Sequence, residues 1–224
     1  MDRIAWLRER RTAVIEAYDS EAVTYDDLPY PTTSHRLFID RAVATTPSGG
    51  VILDAPCGTG RYFGRIRDAG RRVVGIDQSA GMLEQARRRG IAERLEQIGL
   101  QQLDFVAEFD AAITVDAMEN VPPEDWPLVL RNLHRAVRPG AYLYLTVEEV
   151  NVTEIEEAWI ANRERGLPVV RGEIIDGDVA GYHYYPGRDR IGEWLAAEGL
   201  EIVDEATDQE DGWGYWHLLA RTPR

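Results

Sequence analysis

Lysine is absent from the 224 residues, so all 25 basic side chains are arginine. A P-loop, which needs a Gly-Lys-Ser/Thr run around its phosphates, is therefore excluded. Schiff-base chemistry on a lysine and a Tyr/Lys catalytic pair go with it. A single cysteine, Cys57, rules out an internal disulfide and any cysteine-rich metal site, and no metal site is expected. No stretch approaches the ~18 consecutive apolar residues of a membrane span. The run from Met1 to Arg10 is charged throughout and carries no apolar h-region, so a secretory signal is not expected. These absences point to a cytoplasmic protein with no membrane partner. The net charge of −14 repels polyanions, so no nucleic-acid partner is expected. The densest basic run, Arg87-Arg88-Arg89, reads as a helix end whose cations offset the negative end of the dipole.

What is present is an alternation. One domain over residues 1–224 suits the length, with residues 1–46 as a helical cap. An amphipathic helix over 3–18 carries Ile4, Leu7, Ala13, Val14 and Ala17. A Tyr-, Asp- and Pro-rich loop follows from Ser20 to Thr33, and Ser34 can cap a second helix ending near Thr45. Short apolar strands are expected at Val51–Leu53, Val73–Ile76, Leu95–Ile98, Ala111–Val115 and Ala141–Val147. Helices separate them at Arg61–Ala69, Ala80–Arg89 and Trp126–Val137, the last stopping before Pro139-Gly140. Apolar strands alternating with helices imply an α/β doubly wound, mostly parallel sheet covered on both faces. Beyond residue 147 the rhythm breaks. Helices are expected at Val152–Glu164 and Asp189–Glu198 and strands at Glu201–Val203 and Tyr215–Ala220, with 148–188 as an insertion.

Ligands of such sheets bind at the C-terminal ends of the strands. There Val51-Ile52-Leu53 runs into Asp54-Ala55-Pro56-Cys57-Gly58-Thr59-Gly60. Glycines let backbone approach a ligand closely, although a plain β-α turn also needs small residues. The next strand ends in Asp77, 23 positions after Asp54. An acid at that tip can accept from both ribose hydroxyls, and it can equally cap the helix that Ser79 and Ala80 open.

The runs Leu53–Gly60 and Gly75-Ile76-Asp77-Gln78-Ser79-Ala80-Gly81-Met82-Leu83 together resemble the class I S-adenosylmethionine-dependent methyltransferases. Phe109-Asp110 and Leu133–Ala141 extend the resemblance, which covers residues 34–147 well and the closing strands loosely. It implies a seven-stranded Rossmann-like sheet with N-terminal helices and an insertion after strand five, S-adenosylmethionine as cofactor and methyl transfer as activity. It implies that Asp54, Ala55, Gly58 and Gly60 face the methionine part, that Asp77 binds the ribose, and that Gln78 and Met82 flank ribose and adenine. Leu100 and Gln101 stand where the family contacts adenine, and Asp116, at the tip Val115-Asp116-Ala117, approaches the methionine end. Pro56 replaces the first glycine of the family's turn and removes one N–H donor. Arg36 suits the cofactor's carboxylate but also an ordinary surface, and Tyr25 can cover the cofactor or simply pack.

Methyl transfer asks chiefly for positioning and exclusion of water, with a base if the acceptor is a hydroxyl or amine. The candidate bases are Glu119 and His183, set against local capping and packing roles. Tyr18, Tyr25, Tyr30, Trp159, Tyr182, Tyr184, Tyr185, Trp213 and Trp216 can roof a small-molecule acceptor. The 148–188 segment is expected to set acceptor specificity. A nicotinamide-dependent reductase is the competing enzyme, but Gly-x-Gly-x-x-Gly is not met: Gly64 falls one place late. A non-catalytic cofactor-binding protein of the same fold is the other alternative.

Overall fold

A computed structural model describes residues 2–27, 32–175, 177, 181–210 and 213–224. Tyr30 lies outside them. In chain order come α1 (Arg3–Glu21), α2 (Thr33–Thr45), β1 (Val51–Asp54), α3 (Phe63–Asp68), β2 (Arg72–Ile76), α4 (Ala80–Arg88), β3 (Arg94–Glu96) and β4 (Phe109–Thr114). They are followed by α5 (Trp126–Ala136), β5 (Val137–Glu149), α6 (Val152–Glu164), β6 (Glu173–Ile175), β7 (Tyr182–Tyr184), α7 (Arg188–Ala197), β8 (Glu201–Glu210) and β9 (Trp213–Arg221).

Seven strands form one sheet in the order β3-β2-β1-β4-β5-β9-β8, and β6 pairs with β7 in a separate hairpin. The first five are parallel, and β9 runs antiparallel between β5 and β8. The order reverses at β1, so the crevice over β1 and β4 is the switch point where ligands bind in open α/β sheets. Strand side chains alternate between two cores, as the pleat requires. Leu53, Val74, Ala112 and Leu143 pack with Trp126 and Leu130 of α5, while Ile52, Val73, Ala111 and Tyr144 pack with Phe38 of α2 and Phe63 of α3. No helix among the described residues is long and apolar enough to cross a membrane.

Several sequence expectations are revised. The helix after the glycine turn begins at Phe63, not Arg61, because residues 58–62 are spent in turns. Thr32, not Ser34, caps α2 by accepting from the His35 amide. Strand β5 starts at Val137 and carries Pro139-Gly140 within it. The register jumps from Phe109↔Val137 to Ala111↔Tyr142, so the expected stop survives as a bulge. The apolar face expected for α1 is also shifted: Trp6, Arg10 and Val14 are buried, whereas Ile4 is 70% exposed. The β6–β7 hairpin was not anticipated.

A roofed cleft at the strand tips

A cleft enclosing about 1150 Å³, counting space open to solvent, lies over the C-terminal ends of β1, β2, β3 and β4. Its floor is built from turns that the strands deliver there. After β1, Gly58 takes φ +51°, and a Cβ on it would meet no atom within 4 Å, so this backbone opens onto space. Gly60, at φ +76°, allows no side chain because its Cβ would fall 2.5 Å from the Phe63 ring. Asp77 ends β2 and couples the two tips. Its Oδ2 accepts from the Gly58 amide at 2.9 Å and its Oδ1 from the Ser79 amide at 2.8 Å. Burial pushes the Asp77 carboxyl up to about 6, against the pull of those amides. Ser79, not Asp77, caps α4, its Oγ accepting from the Met82 amide at 3.0 Å, while Asp77 holds the turn before that cap and lines the cleft.

The third tip is the short 3-10 turn Leu100–Gln102, pinned from below by Asn132, whose Nδ2 donates to the Leu100 and Gln101 carbonyls at 3.0 and 3.1 Å. The Gln101 amide donates to Asp125 at 3.3 Å, and Arg11 pairs with the same carboxylate. At the fourth tip Asp116 adopts φ +54°, its amide donates to Thr146 Oγ1 at 2.7 Å, and Tyr215 donates its hydroxyl to Oδ1.

Helix α1 is the roof. Leu7, Arg10, Arg11, Val14 and Tyr18 line the cleft from above. Its far end is tied by Asp19, which accepts from Ser79 Oγ at 2.6 Å and the Gly81 amide at 2.8 Å. Its near end is tied by Arg3, which donates twice to the buried Glu173 carboxylate at 2.7 and 3.0 Å. A one-turn helix, Tyr25–Asp27, closes the side. There Asp26 accepts from Thr59 Oγ1 at 2.7 Å and pairs with Arg89, and the Arg61 guanidinium lies 5.3 Å from the Tyr25 ring centre. Arg89 therefore braces the glycine turn as well as ending α4.

Of the residues singled out in the sequence, Tyr25, Gly58, Asp77, Gln78, Met82, Leu100, Gln101 and Asp116 line the cleft together. Asp54, Ala55, Gly60, Arg36, Glu119 and His183 do not. Asp54 is 1% exposed, and neither carboxyl oxygen has a hydrogen-bond partner, so burial drives its proton affinity up. Arg36 is exposed on α2. His183 sits on β7, its ring 6.2 Å from that of Tyr185. Glu119 is buried directly behind the cleft-lining Asn120, whose Nδ2 donates to Oε1 at 3.1 Å, while Oε2 has no partner. Burial raises the Glu119 carboxyl well above its ordinary value, and the neighbouring Asp116 and Glu148 add to this. Of the aromatic candidates, Tyr18, Tyr25 and Tyr182 reach the cleft. Trp216 is core, and Trp159 lies under Arg163 and Arg171 on α6. Sequence reasoning missed Arg10, although Trp6, Arg10, Val14 and Tyr18 recur every four residues on one helical stripe.

Residues 52–140 match a protein family described as a methyltransferase domain. The ubiquinone biosynthesis O-methyltransferase of Pseudomonas paraeruginosa is 31% identical over 163 residues, 70% of this chain and 67% of that protein. The malonyl-[acyl-carrier protein] O-methyltransferase of Pectobacterium atrosepticum is 28% identical over 189 residues, 80% of this chain and 72% of that protein. The chain spans 58% of the length of the Serratia marcescens enzyme of that name, at 32% identity over 66% of this chain. Among solved structures, 1,6-didemethyltoxoflavin-N1-methyltransferase of Burkholderia thailandensis, with bound 1,6-didemethyltoxoflavin and S-adenosylhomocysteine, shares the fold with a TM-score of 0.63 at 20% identity. That match covers 96% of this chain and 89% of that one. A methyltransferase from Methanosarcina mazei does so with a TM-score of 0.68 at 17% identity, over 88% and 99%. The chain belongs to the class I S-adenosylmethionine-dependent methyltransferases. Its cofactor is S-adenosylmethionine, and the open Gly58 backbone beside the Asp77 carboxylate leaves space and hydrogen-bond acceptors for a molecule of that kind.

Proposed function

We propose that the protein methylates an oxygen of a small, uncharged acceptor, with the cofactor lying along the strand tips beneath α1. The observation that carries this reading is the meeting of Gly58 and Asp77 on one wall of a cleft roofed by α1. In this reading Asp77 accepts from the ribose hydroxyls. Gln78, Met82, Leu100 and Gln101 flank the nucleoside, and Gly58 gives the methionine chain room, with Asp116 and Tyr25 near its end. Asp54, Ala55 and Gly60 belong to the strand end and turn beneath the cofactor and do not line the cleft. Arg36, exposed on α2, is not needed to hold the cofactor.

The cofactor supplies an electrophilic methyl group on a sulfonium. The chain's work is to orient, to exclude water and to receive a proton. Beside the burial of Glu119, Asp116 and Glu148 lie close enough at the tips of β4 and β5 for each to raise its proton affinity further. Such a cluster repels an anionic acceptor and favours a neutral hydroxyl. Glu119, whose Oε2 is unpartnered, is our candidate to take the hydroxyl proton; it lies behind Asn120, so that side chain must swing aside for the acceptor to reach it, and positive charge arriving in the cleft favours its ionised form. O-methylation agrees with the named activities of the relatives. The insertion 148–188, which sends Tyr182 into the cleft, is the segment we assign to acceptor choice within a single domain.

The test is mass spectrometry of the chain with labelled S-adenosylmethionine against matched panels of phenols, alcohols, amines and carboxylic acids. Calorimetry with S-adenosylhomocysteine and with NADH runs beside it. Labelled ethers and binding of the homocysteine product are expected. Exclusive labelling of amines or acids refutes the acceptor reading, and binding of NADH in place of S-adenosylhomocysteine refutes the whole.

A further inference from the structure

Away from the cleft, α2 meets the β8–β9 hairpin across a polar cluster set into the second core. His35 and His217 are both 0% exposed, and the Asp208 side chain beside them is 28% exposed. One oxygen or nitrogen donor from each of the three lies within 4.8 Å of the other two. None of the three lines the cleft. Phe38, Tyr144 and Leu219 belong to the same core, where two imidazoles beside a half-buried carboxylate need polar partners.

We propose that His35, His217 and Asp208 form a binding site for a zinc-type divalent cation that ties α2 to the β8–β9 hairpin. Two imidazoles and one carboxylate are a ligand set that zinc favours. Nε2 of His217 and Oδ1 of Asp208 are 3.1 Å apart. Two ligands on a tetrahedral zinc at about 2.1 Å are separated by roughly 3.4 Å, so this pair already spans one edge of the polyhedron. With all three donors within 4.8 Å of one another, His35, on the first turn of α2, has at most about 1.4 Å to close to reach the same edge length. The partly exposed side of Asp208 supplies an entry path, and a fourth ligand would come from that side.

The surrounding hydroxyls are placed as an outer shell. The Tyr144 hydroxyl is 2.8 Å from Nδ1 of His217. Thr32 Oγ1 is 2.7 Å from Nδ1 of His35 and donates to Oδ2 of Asp208 at 2.8 Å. Such groups fix ring orientation and tautomer around bound metals. The site also has a mechanical consequence. The His35 ring packs edge-on against Tyr215, centroids 4.7 Å apart, and Tyr215 holds Asp116 in the cleft wall. An ion at the cluster stiffens that wall from behind.

The experiment uses the full chain, tag-free and stripped with a chelator. Zinc chloride is titrated by calorimetry, cobalt chloride by visible absorption, and thermal unfolding is followed with and without zinc. Expected are one saturable equivalent, the visible bands of four-coordinate cobalt, and a higher Tm with zinc. His35→Gln and Asp208→Asn should each weaken zinc binding by at least about tenfold while still binding S-adenosylhomocysteine. Circular dichroism checks that each variant is folded, and if only one folds, that one decides. A parent that takes up no saturable equivalent, or a folded variant that binds zinc like the parent, overturns the proposal and leaves the cluster a hydrogen-bonded strut.

Discussion

Asp77→Asn is the perturbation with the sharpest expected signature. In the parent, each carboxylate oxygen already takes one backbone N–H, from Gly58 and from Ser79, and keeps lone pairs facing the cleft. An asparagine keeps one acceptor oxygen and turns an NH₂ toward a backbone donor, so it loses both charge and one acceptor. Hydrogen bonds to a charged group contribute about 1.5–3 kcal/mol each. Replacing two by at most one neutral bond therefore costs about 2–4 kcal/mol, or roughly a 30- to 800-fold rise in Kd for S-adenosylhomocysteine. The pH dependence is the stronger test. Because burial raises the free carboxyl to about 6, and the ribose donates best to the ionised form, parent affinity should fall as pH drops below 6. The fall approaches tenfold per pH unit, and the contribution of residue 77 vanishes in the asparagine variant. Stability moves the opposite way. A carboxyl whose native proton affinity is raised above its unfolded value of 3.8 favours the folded state at low pH and loses that contribution as pH rises through 6. Calorimetry at pH 5.0 and 7.5 reads the first effect, and urea unfolding at the same two values reads the second. Equal parent affinity at both pH values, or an asparagine variant within threefold of the parent at pH 7.5, would refute the reasoning.

Three further outcomes are expected. Gly60→Ala should destabilise the chain by about 2–3 kcal/mol in urea unfolding, combining positive-φ strain with a Cβ placed 2.5 Å from Phe63. An unchanged midpoint would mean that the turn is looser than drawn. Glu119→Gln should leave S-adenosylhomocysteine binding within a few-fold while lowering kcat by 10²–10⁴. It should also flatten the parent's loss of stability as pH climbs above the unfolded Glu value of 4.5, since its native proton affinity is raised by burial. Full turnover by the variant would remove Glu119 as the base. Arg3→Met removes the guanidinium from the Glu173 carboxylate, whose side chain is 0% exposed and keeps neutral donors from Tyr182 and Val170, and should cost about 3 kcal/mol while loosening the roof. Stopped-flow release of S-adenosylhomocysteine should then be faster, and an unaltered rate would show that α1 does not gate the cleft.

The parts of the cleft that were legible in the sequence are those fixed by strand geometry. Gly58 and Asp77 each follow a parallel strand by a set offset, and adjacent parallel strands end at the same edge, so their meeting needed no knowledge of packing. The roof is different. Arg10 is buried on α1 because the Trp6 ring lies 4.9 Å beneath its guanidinium and the cleft lies beyond, and neither fact is local. A buried arginine breaks the apolar pattern by which a helix face is read, so the inferred face rotated toward Ile4, which is solvent-exposed. The same holds for Glu119 and for the His35–His217–Asp208 cluster. Their chemistry depends in part on distant neighbours, Glu148 for Glu119 and His217 for His35, the last pair 182 positions apart by subtraction of their numbers, and such contacts leave no periodicity. Sequence therefore announces where backbone turns place a ligand. What the polar side chains behind those turns do is decided by tertiary burial, which is why the proposed base and the proposed cation site both had to be read from the structure.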